Sequence, residues 1–383
     1  MADKELPLYA QRLRQARNER GWVQHDLRSR LRAAAASRGF TLVSDDSLKR
    51  RISSWENGRG VPDERYQALL CAVFEVEPDD LGFNQEDAPD WGTPDPELIG
   101  LVARLDSSRA VDNELLELLK FQTNAIRLKD RRLGAATVAD EMAAHIAQVD
   151  QLLKHAMLPQ QRAGLAHVLA DASALAGWQG VDTGTLHQSW EHFERAKAAA
   201  MMANDPSIQA FATAEQAYVL LDLGQADSAL QLIEHAHGEN RGKLPSLMRS
   251  WLHAAEAEAH AALGRELDSM RCMDLAAASL PADPDDPSLP YVALNLAHLA
   301  RWRGSCLVQL GDSQVIDNLT DVLAGMNGFT RATAQLRCDL AEALIAQGRT
   351  EEAKGHLAEA QKLIMVAGSA RQRRRYVRLS ARV

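Results

Sequence analysis

Cysteine is scarce and scattered in this chain. Its four residues (Cys71, Cys272, Cys306 and Cys338) stand far apart, each inside a helical apolar pattern. No pair has metal-ligand spacing, and nothing in their placement suggests a disulfide framework. Aromatic residues are also few, 5% against 46% hydrophobic, so the apolar content is largely Ala and Leu. That composition belongs to helices. No run approaches the roughly eighteen apolar residues of a membrane-spanning helix, and Met1-Ala2-Asp3-Lys4-Glu5 has no apolar signal core. A cytoplasmic location with no membrane partner is the expectation.

The motifs that carry chemistry are missing as well. There is no Gly-rich phosphate loop ending in Lys-Ser/Thr, no dinucleotide fingerprint after a strand, and no nucleophile elbow. Beyond Glu97 no strand pattern lasts more than a few residues. His253, Glu256 and His260 fall on one helix face, but the two histidines are seven apart with no acidic third ligand at a zinc-signature spacing. His235-Ala236-His237 points its two rings to different sides of a helix. No catalytic residue, cofactor or metal ion is expected.

What the sequence does contain is an uneven distribution of charge. The whole chain carries −9, yet from Arg12 to Arg59 twelve Lys/Arg face five Asp/Glu, a balance of +7 that leaves −16 for the rest. A basic module on an acidic body is the pattern expected when one part meets phosphate and the other does not. At the centre of the basic module lies Asp46-Ser47-Leu48-Lys49-Arg50-Arg51-Ile52-Ser53-Ser54-Trp55-Glu56-Asn57-Gly58-Arg59. Leu48, Ile52 and Trp55 recur at spacings of four and three and share one helical face. Ser47 or an Asp before it is a candidate cap at the start, and Gly58 a left-handed stop at the end. Lys49, Arg50, Ser53, Ser54 and Asn57 point outward, and such a front suits the major groove of DNA. A merely solvated basic helix is the alternative for this stretch taken alone.

The flanking residues favour the first reading. Leu13 to Gly21 is a first helix, a second opens near Gln24, and Val61-Pro62-Asp63 leads into the apolar helix Leu69-Leu70-Cys71-Ala72-Val73-Phe74. Arg17…Gly21-x-x-Gln24 and Ile52-Ser53-Ser54-Trp55-Glu56-Asn57-Gly58-Arg59…Pro62 together resemble the Cro/C1-type (XRE) helix-turn-helix family over about the first eighty residues. The resemblance implies a five-helix DNA-binding head. Lys49, Arg50 and Ser54 occupy the family's base-reading positions, and Gln24 and Asn57 its phosphate-contacting positions, with Arg59 a further phosphate contact. Arg17 and Glu56 occupy positions that pair structurally. One departure is visible: Leu27 to Arg38 continues as Arg/Ala-rich helix, and Gly39 to Ser44 intervenes before the recognition stretch. The insertion lengthens the second helix or adds a loop.

Asn84 to Pro96 is acidic and proline-rich, a linker by composition. The chain therefore reads as a head (1–84), a linker (85–96) and a body (97–383). In the body, Leu115 to Leu133 and Glu141 to Met157 read as long helices. Between them, Asp130-Arg131-Arg132-Leu133-Gly134-Ala135 looks like a segment of actinobacterial regulators that join such a head to helical repeats; a charged helix end with a Gly cap is the plainer reading. Small-residue turns recur at Ala176-Gly177, Leu223-Gly224, Leu263-Gly264, Leu310-Gly311 and Gln347-Gly348. Helix, Gly turn, helix at near-constant period marks an α-solenoid, and the pairs resemble tetratricopeptide repeats. Pro281 to Pro290, with four prolines, is a loop between repeats. The basic run Arg371 to Arg378 reads as a solvated capping helix or as a second nucleic-acid contact.

The expectation is an all-α protein: a Cro/C1-type head that binds double-stranded DNA, and a tetratricopeptide-like body that dimerises. The stripe Leu115, Leu118, Leu119, Gln122, Ile126 and Leu133 is the candidate dimer surface. The concave groove is where a peptide or small-molecule effector would bind, as in the peptide-sensing regulators of Gram-positive bacteria. The rival reading is an interaction scaffold whose head no longer binds DNA.

Overall fold

The computed structural model describes residues 6–83, 96–239, 242–326 and 329–383, and within them every regular element is helical. The chain divides into two compact units, residues 1–98 and 99–383. Of the expected linker, residues 84–95, Trp91 among them, lie outside the described residues; Pro96 already opens a helix. Among the described residues no helix is long and apolar enough to cross a membrane.

The first unit holds α1 (Leu8–Glu19), α2 (Gln24–Ser37), α3 (Asp45–Glu56) and α4 (Glu64–Phe74). The fifth helical element is a single 3-10 turn, Pro78–Leu81. One apolar residue or more from each of them meets in a common core of Leu13, Leu27, Leu31, Leu48, Ile52, Trp55, Leu70, Phe74 and Leu81. Trp22 stacks on Phe74, and Trp55 lies against Tyr66 with ring centres 5.1 Å apart. The insertion does both things open to it: α2 runs to fourteen residues, and a loop then leads to α3. Arg32 ties that loop back by donating to the Val43 carbonyl, and Arg65 lies over the Phe40 ring.

α5 (Pro96–Arg109) runs across the division, and six helix pairs of the second unit follow it. They are α6 (Asn113–Leu133) with α7 (Ala135–His155), α8 (Pro159–Thr183) with α9 (Leu186–Ala203), and α10 (Pro206–Asp222) with α11 (Ala226–Glu239). Then come α12 (Ser246–Ala262) with α13 (Glu266–Ser279), α14 (Leu296–Gln309) with α15 (Ile316–Gly325), and α16 (Thr330–Ala346) with α17 (Thr350–Ala367). α18 (Ala370–Ser380) closes the chain. α10 and α12 are buried on most sides, consistent with first helices that line the interior while their partners lie outside.

Two readings of the repeats need correction. Gly177 is not a turn: it lies inside α8, where the Phe193 ring packs so close that a Cβ would sit 2.6 Å from it. The turn is Gly184, and the set Gly184, Gly224, Gly264, Gly311 and Gly348, all at positive φ, is spaced by 40, 40, 47 and 37. The 47 contains the proline loop, whose tail is not a surface feature. Leu289, Tyr291, Val292 and Leu294 are buried, and Tyr291 packs on Phe211. The second long helix starts at Ala135, not Glu141, because Gly134 alone separates it from α6. The expected stripe on α6 also divides. Leu119 and Ile126 are buried inside the unit, while Leu118 and Leu133 face outward with Phe121 and Leu128.

Gly134 is held at φ +89 and ψ +162, a region essentially closed to other residues. A Cβ there would meet the Ala367 carbonyl oxygen at 2.0 Å, so α6 and the end of α17 touch backbone to backbone. Gly134→Ala should therefore cost well over the roughly 1–3 kcal/mol of that backbone region alone. Gly224→Ala, with nothing within 4 Å, should lose only about 1–2 kcal/mol. Thermal unfolding of the two variants checks this; equal losses would mean that the α17 contact contributes nothing.

Candidate nucleic-acid interface and the interior of the body

α3 is built as an apolar back and a polar front. Leu48, Ile52 and Trp55 are buried against α1, α2 and α4, while Lys49, Arg50, Asn57 and Arg59 are exposed and Ser53 and Ser54 half-buried. Its start differs from the expectation. The helix begins at Asp45 behind Ser44, so Ser47 lies within the first turn and neither serine caps a backbone N–H; their hydroxyls bond each other at 2.9 Å. Acidic side chains suit the positive end of a helix, which is why Asp45 and Asp46 join it. Asp45 does more. It pairs with Arg28 at 2.5 Å and Arg32 at 3.2 Å, two α2 residues four apart, and so fixes α3 on α2. The sequence reading missed this clamp, although two arginines at that spacing mark one face of α2.

The far end of α3 is fixed by Glu56, which is 2% exposed. Arg17 reaches it with both sides of its fork: Nε to Oε1 at 2.5 Å and Nη2 to Oε2 at 3.2 Å. Gln24 donates Nε2 to Oε2 at 2.7 Å, which joins the first residue of α2 to the same carboxylate. Arg14 donates to the Glu56 carbonyl and to the Asn57 side-chain oxygen. Asn57 donates to the Ser53 carbonyl at 2.6 Å and so caps α3, and Gly58 at φ +65 turns the chain away. The two amides expected at phosphate thus also serve as props. At the start of α2 the backbone N–H groups of Gln24 and His25 have no partner among the described residues, at the positive end of the helix.

Lys49, Arg50 and Ser54 lie on α3 away from its buried stripe, and Arg59 follows just past its end. Among the described residues the three cations have no ion-pair partner. Arg51, also on α3, points elsewhere: it lies over the Tyr66 ring and 3.8 Å from Asp63. A row of unpaired cations beside hydroxyls, with no unpaired carboxylate but Asp46 on the helix, can contact both phosphate and base edges.

The second unit holds a half-open chamber of about 180 Å³. Trp178, Tyr218, Trp251, Trp302 and Phe329 wall it, and Arg131, Arg301, Arg331 and Arg371 project among them. Glu258 accepts from the Tyr218 hydroxyl at 3.0 Å and from the Trp302 ring at 2.7 Å. Arg331 is shared by Asp130 and Asp182, both at 2.8 Å, and Arg371 binds Asp222 at 2.8 Å. Arg131 has no such carboxylate; burial, with Arg127 nearby, pushes it down to about 10. Arg301 buries Nε and Nη1 with no partner. Burial also pushes Glu215 well above the usual carboxylate range. The segment Asp130 to Ala135 is therefore a structural junction with one face on this chamber. The terminal basic run is a capping helix: Arg371 and Arg374 pair with Asp222, and Arg375 with Asp339 and Glu342.

The structure also gathers what the sequence kept apart around Glu256. His253 and His260 flank it on α12 as the spacing requires, and His237 of α11 and Cys272 of α13 close in from neighbouring helices.

Glu56→Ala should leave Arg17 partly buried without its partner and free the Gln24 amide. Breaking a buried pair costs up to about 3–5 kcal/mol, and calorimetric unfolding of the full chain should show the transition of the head lowered. An unchanged transition with lost DNA affinity would move Glu56 from support to contact.

No protein-family model matches this chain, and no curated protein matches its sequence. Among solved structures, the crystal structure of Bacillus thuringiensis PlcR in complex with the peptide PapR7 and DNA aligns over 98% of this chain and 99% of that one, at 9% identity and a TM-score of 0.32.

Proposed function

We propose that this chain is a DNA-binding transcriptional regulator of the Cro/C1 (XRE) type, whose tetratricopeptide-like body dimerises and takes up an effector. The observation that carries the reading is the front of α3. Lys49, Arg50 and Ser54 stand on a helix fixed at one end by Asp45 and at the other by Glu56, with unpaired cations facing solvent. In this reading Arg50, Lys49 and Ser54 touch base edges. Arg59, the Asn57 amide and the start of α2 at Gln24 touch phosphate.

The dimer rests on a different observation. Leu118 (60% exposed), Phe121 (69%) and Leu128 form one outward row on α6. Apolar side chains of that size at helical spacing suit a self-complementary contact, which would hold two heads at the spacing of successive major grooves. The chamber is the effector site. The unpaired buried nitrogens of Arg301 favour a ligand with an acidic group, and the aromatic walls favour a ring or an apolar side chain beside it.

Two measurements test the reading. Fluorescence anisotropy with genomic fragments should show binding that weakens steeply as salt rises. Arg50→Ala should then cost about 1–3 kcal/mol and relax preference at one base position, while Arg59→Ala should weaken all sequences alike. Unchanged affinity and preference in Arg50→Ala would overturn the assigned face. Light scattering should find a dimer that Leu118→Asp with Phe121→Asp converts to a monomer; a monomeric parent chain would remove the dimer from the proposal.

A further inference from the structure

We infer that the second unit holds a divalent transition-metal ion of the Zn²⁺ kind, ligated by His237, His253 and Glu256. The three side chains come from two successive repeats: His237 from α11, which ends one pair, and His253 and Glu256 from α12, which opens the next. Their donor atoms lie within 4.8 Å of one another. Glu256 Oε2 is 3.4 Å from His253 Nδ1 and 3.9 Å from His237 Nδ1.

Those distances argue for an ion. A charge-assisted N–H···O bond closes to about 2.7–2.9 Å, shorter than either contact. Ligands around a shared ion sit farther apart, about 3.4 Å for bonds of about 2.0–2.1 Å at tetrahedral angles. His253 Nδ1 is buried without a hydrogen-bond partner, which is costly unless something else occupies its lone pair. The His237 and His253 rings meet edge to face with centres 4.3 Å apart, and the Nδ1 of each lies within 3.9 Å of the same Glu256 oxygen.

The other oxygen of Glu256 has a different neighbour. His260 Nε2 lies 3.9 Å from Oε1, and Cys272 completes a second group of three around the same carboxylate. We assign the ion to the His237–His253 side because a thiol is not needed there. Two imidazoles and a carboxylate already make a three-ligand set with a position left for water. The ligand side chains are 16–19% exposed, enough for solvent to reach that position. An ion here would clasp the α10–α11 pair to the α12–α13 pair, and its binding to the folded state alone would raise the unfolding temperature of the unit.

The test uses untagged full-length protein stripped of metal by chelator dialysis and titrated with Zn²⁺ by calorimetry and with Co²⁺ by absorption. Expected are one ion per chain, visible d–d bands of low-coordinate Co²⁺ with no thiolate charge-transfer band, and a higher unfolding temperature with Zn²⁺. His237→Gln and Glu256→Gln should each weaken Zn²⁺ binding at least about tenfold. Circular dichroism of each variant confirms that it is folded, and His237, the most exposed of the three ligands, keeps the test alive where Glu256→Gln is unstable. No Zn²⁺ or Co²⁺ binding would overturn the inference. So would binding that His237→Gln leaves unchanged, and so would a Co²⁺–thiolate band, which would place the ion with His260 and Cys272.

Discussion

A guanidinium taken largely out of water is costly to keep charged without carboxylates beside it, and Arg331, its side chain 14% exposed, is the point where this constraint acts on the second unit. Burial alone would lower its proton affinity, but Asp130 and Asp182 raise it and keep the charge. Asp130 belongs to α6 and Asp182 to α8, while Arg331 itself sits on α16. Asp182 also accepts from Ser369, the cap of α18, at 2.6 Å. Four helices from the two ends of the unit thus meet at one ionic cluster. Arg127 with Asp171 and Arg375 with Asp339 repeat the arrangement nearby. Such pairs add little net stability, because desolvation offsets most of the attraction. Their effect here is on register: a slip of one helical turn between α6 and α16 would strand a buried charge.

The head uses the same device for a different end. Glu56 is neutralised by Arg17 and held by Gln24, and Asp45 is neutralised by Arg28 and Arg32. These are the acidic groups nearest the two ends of α3. With both matched, the cations left over on the helix front are not cancelled locally, and the field they present outward is positive. Fixing a helix and setting the sign of its exposed face are achieved by the same few ion pairs.

The back of α3 was legible in the sequence because helical spacing places Leu48, Ile52 and Trp55 together whatever surrounds them. The stop at Gly58 was legible for a similar local reason. Gly177 was misread because a glycine that admits a neighbouring ring and a glycine that reverses the chain look the same in one dimension; only Phe193, sixteen residues on, tells them apart. The clamp of Asp45 and the doubled role of Gln24 depend on contacts between helices, which periodicity does not encode. The same limit hid His237 and Cys272. Each lies on a different helix from Glu256, so no spacing within one segment could bring them to it. The chamber was out of reach too, since its walls come one or two residues at a time from helices spread over nearly the whole unit.

The backbone contact between Gly134 and Ala367 changes what kind of repeat protein this is. In an open array each repeat touches only its neighbours, and the ends can fray while the middle persists. Here the first helix pair leans on the last, so neither end is terminal in the energetic sense. Losing α17 and α18 would uncover α6 and α8 as well. Amide hydrogens of the final helices are therefore tied to the opening of the entire unit, and their exchange should run at the pace of its core. The many contacts between residues far apart in sequence have a kinetic side as well: the unit must close its longest loop before that closure is rewarded, which slows folding relative to a chain of repeats that grows from one neighbour to the next.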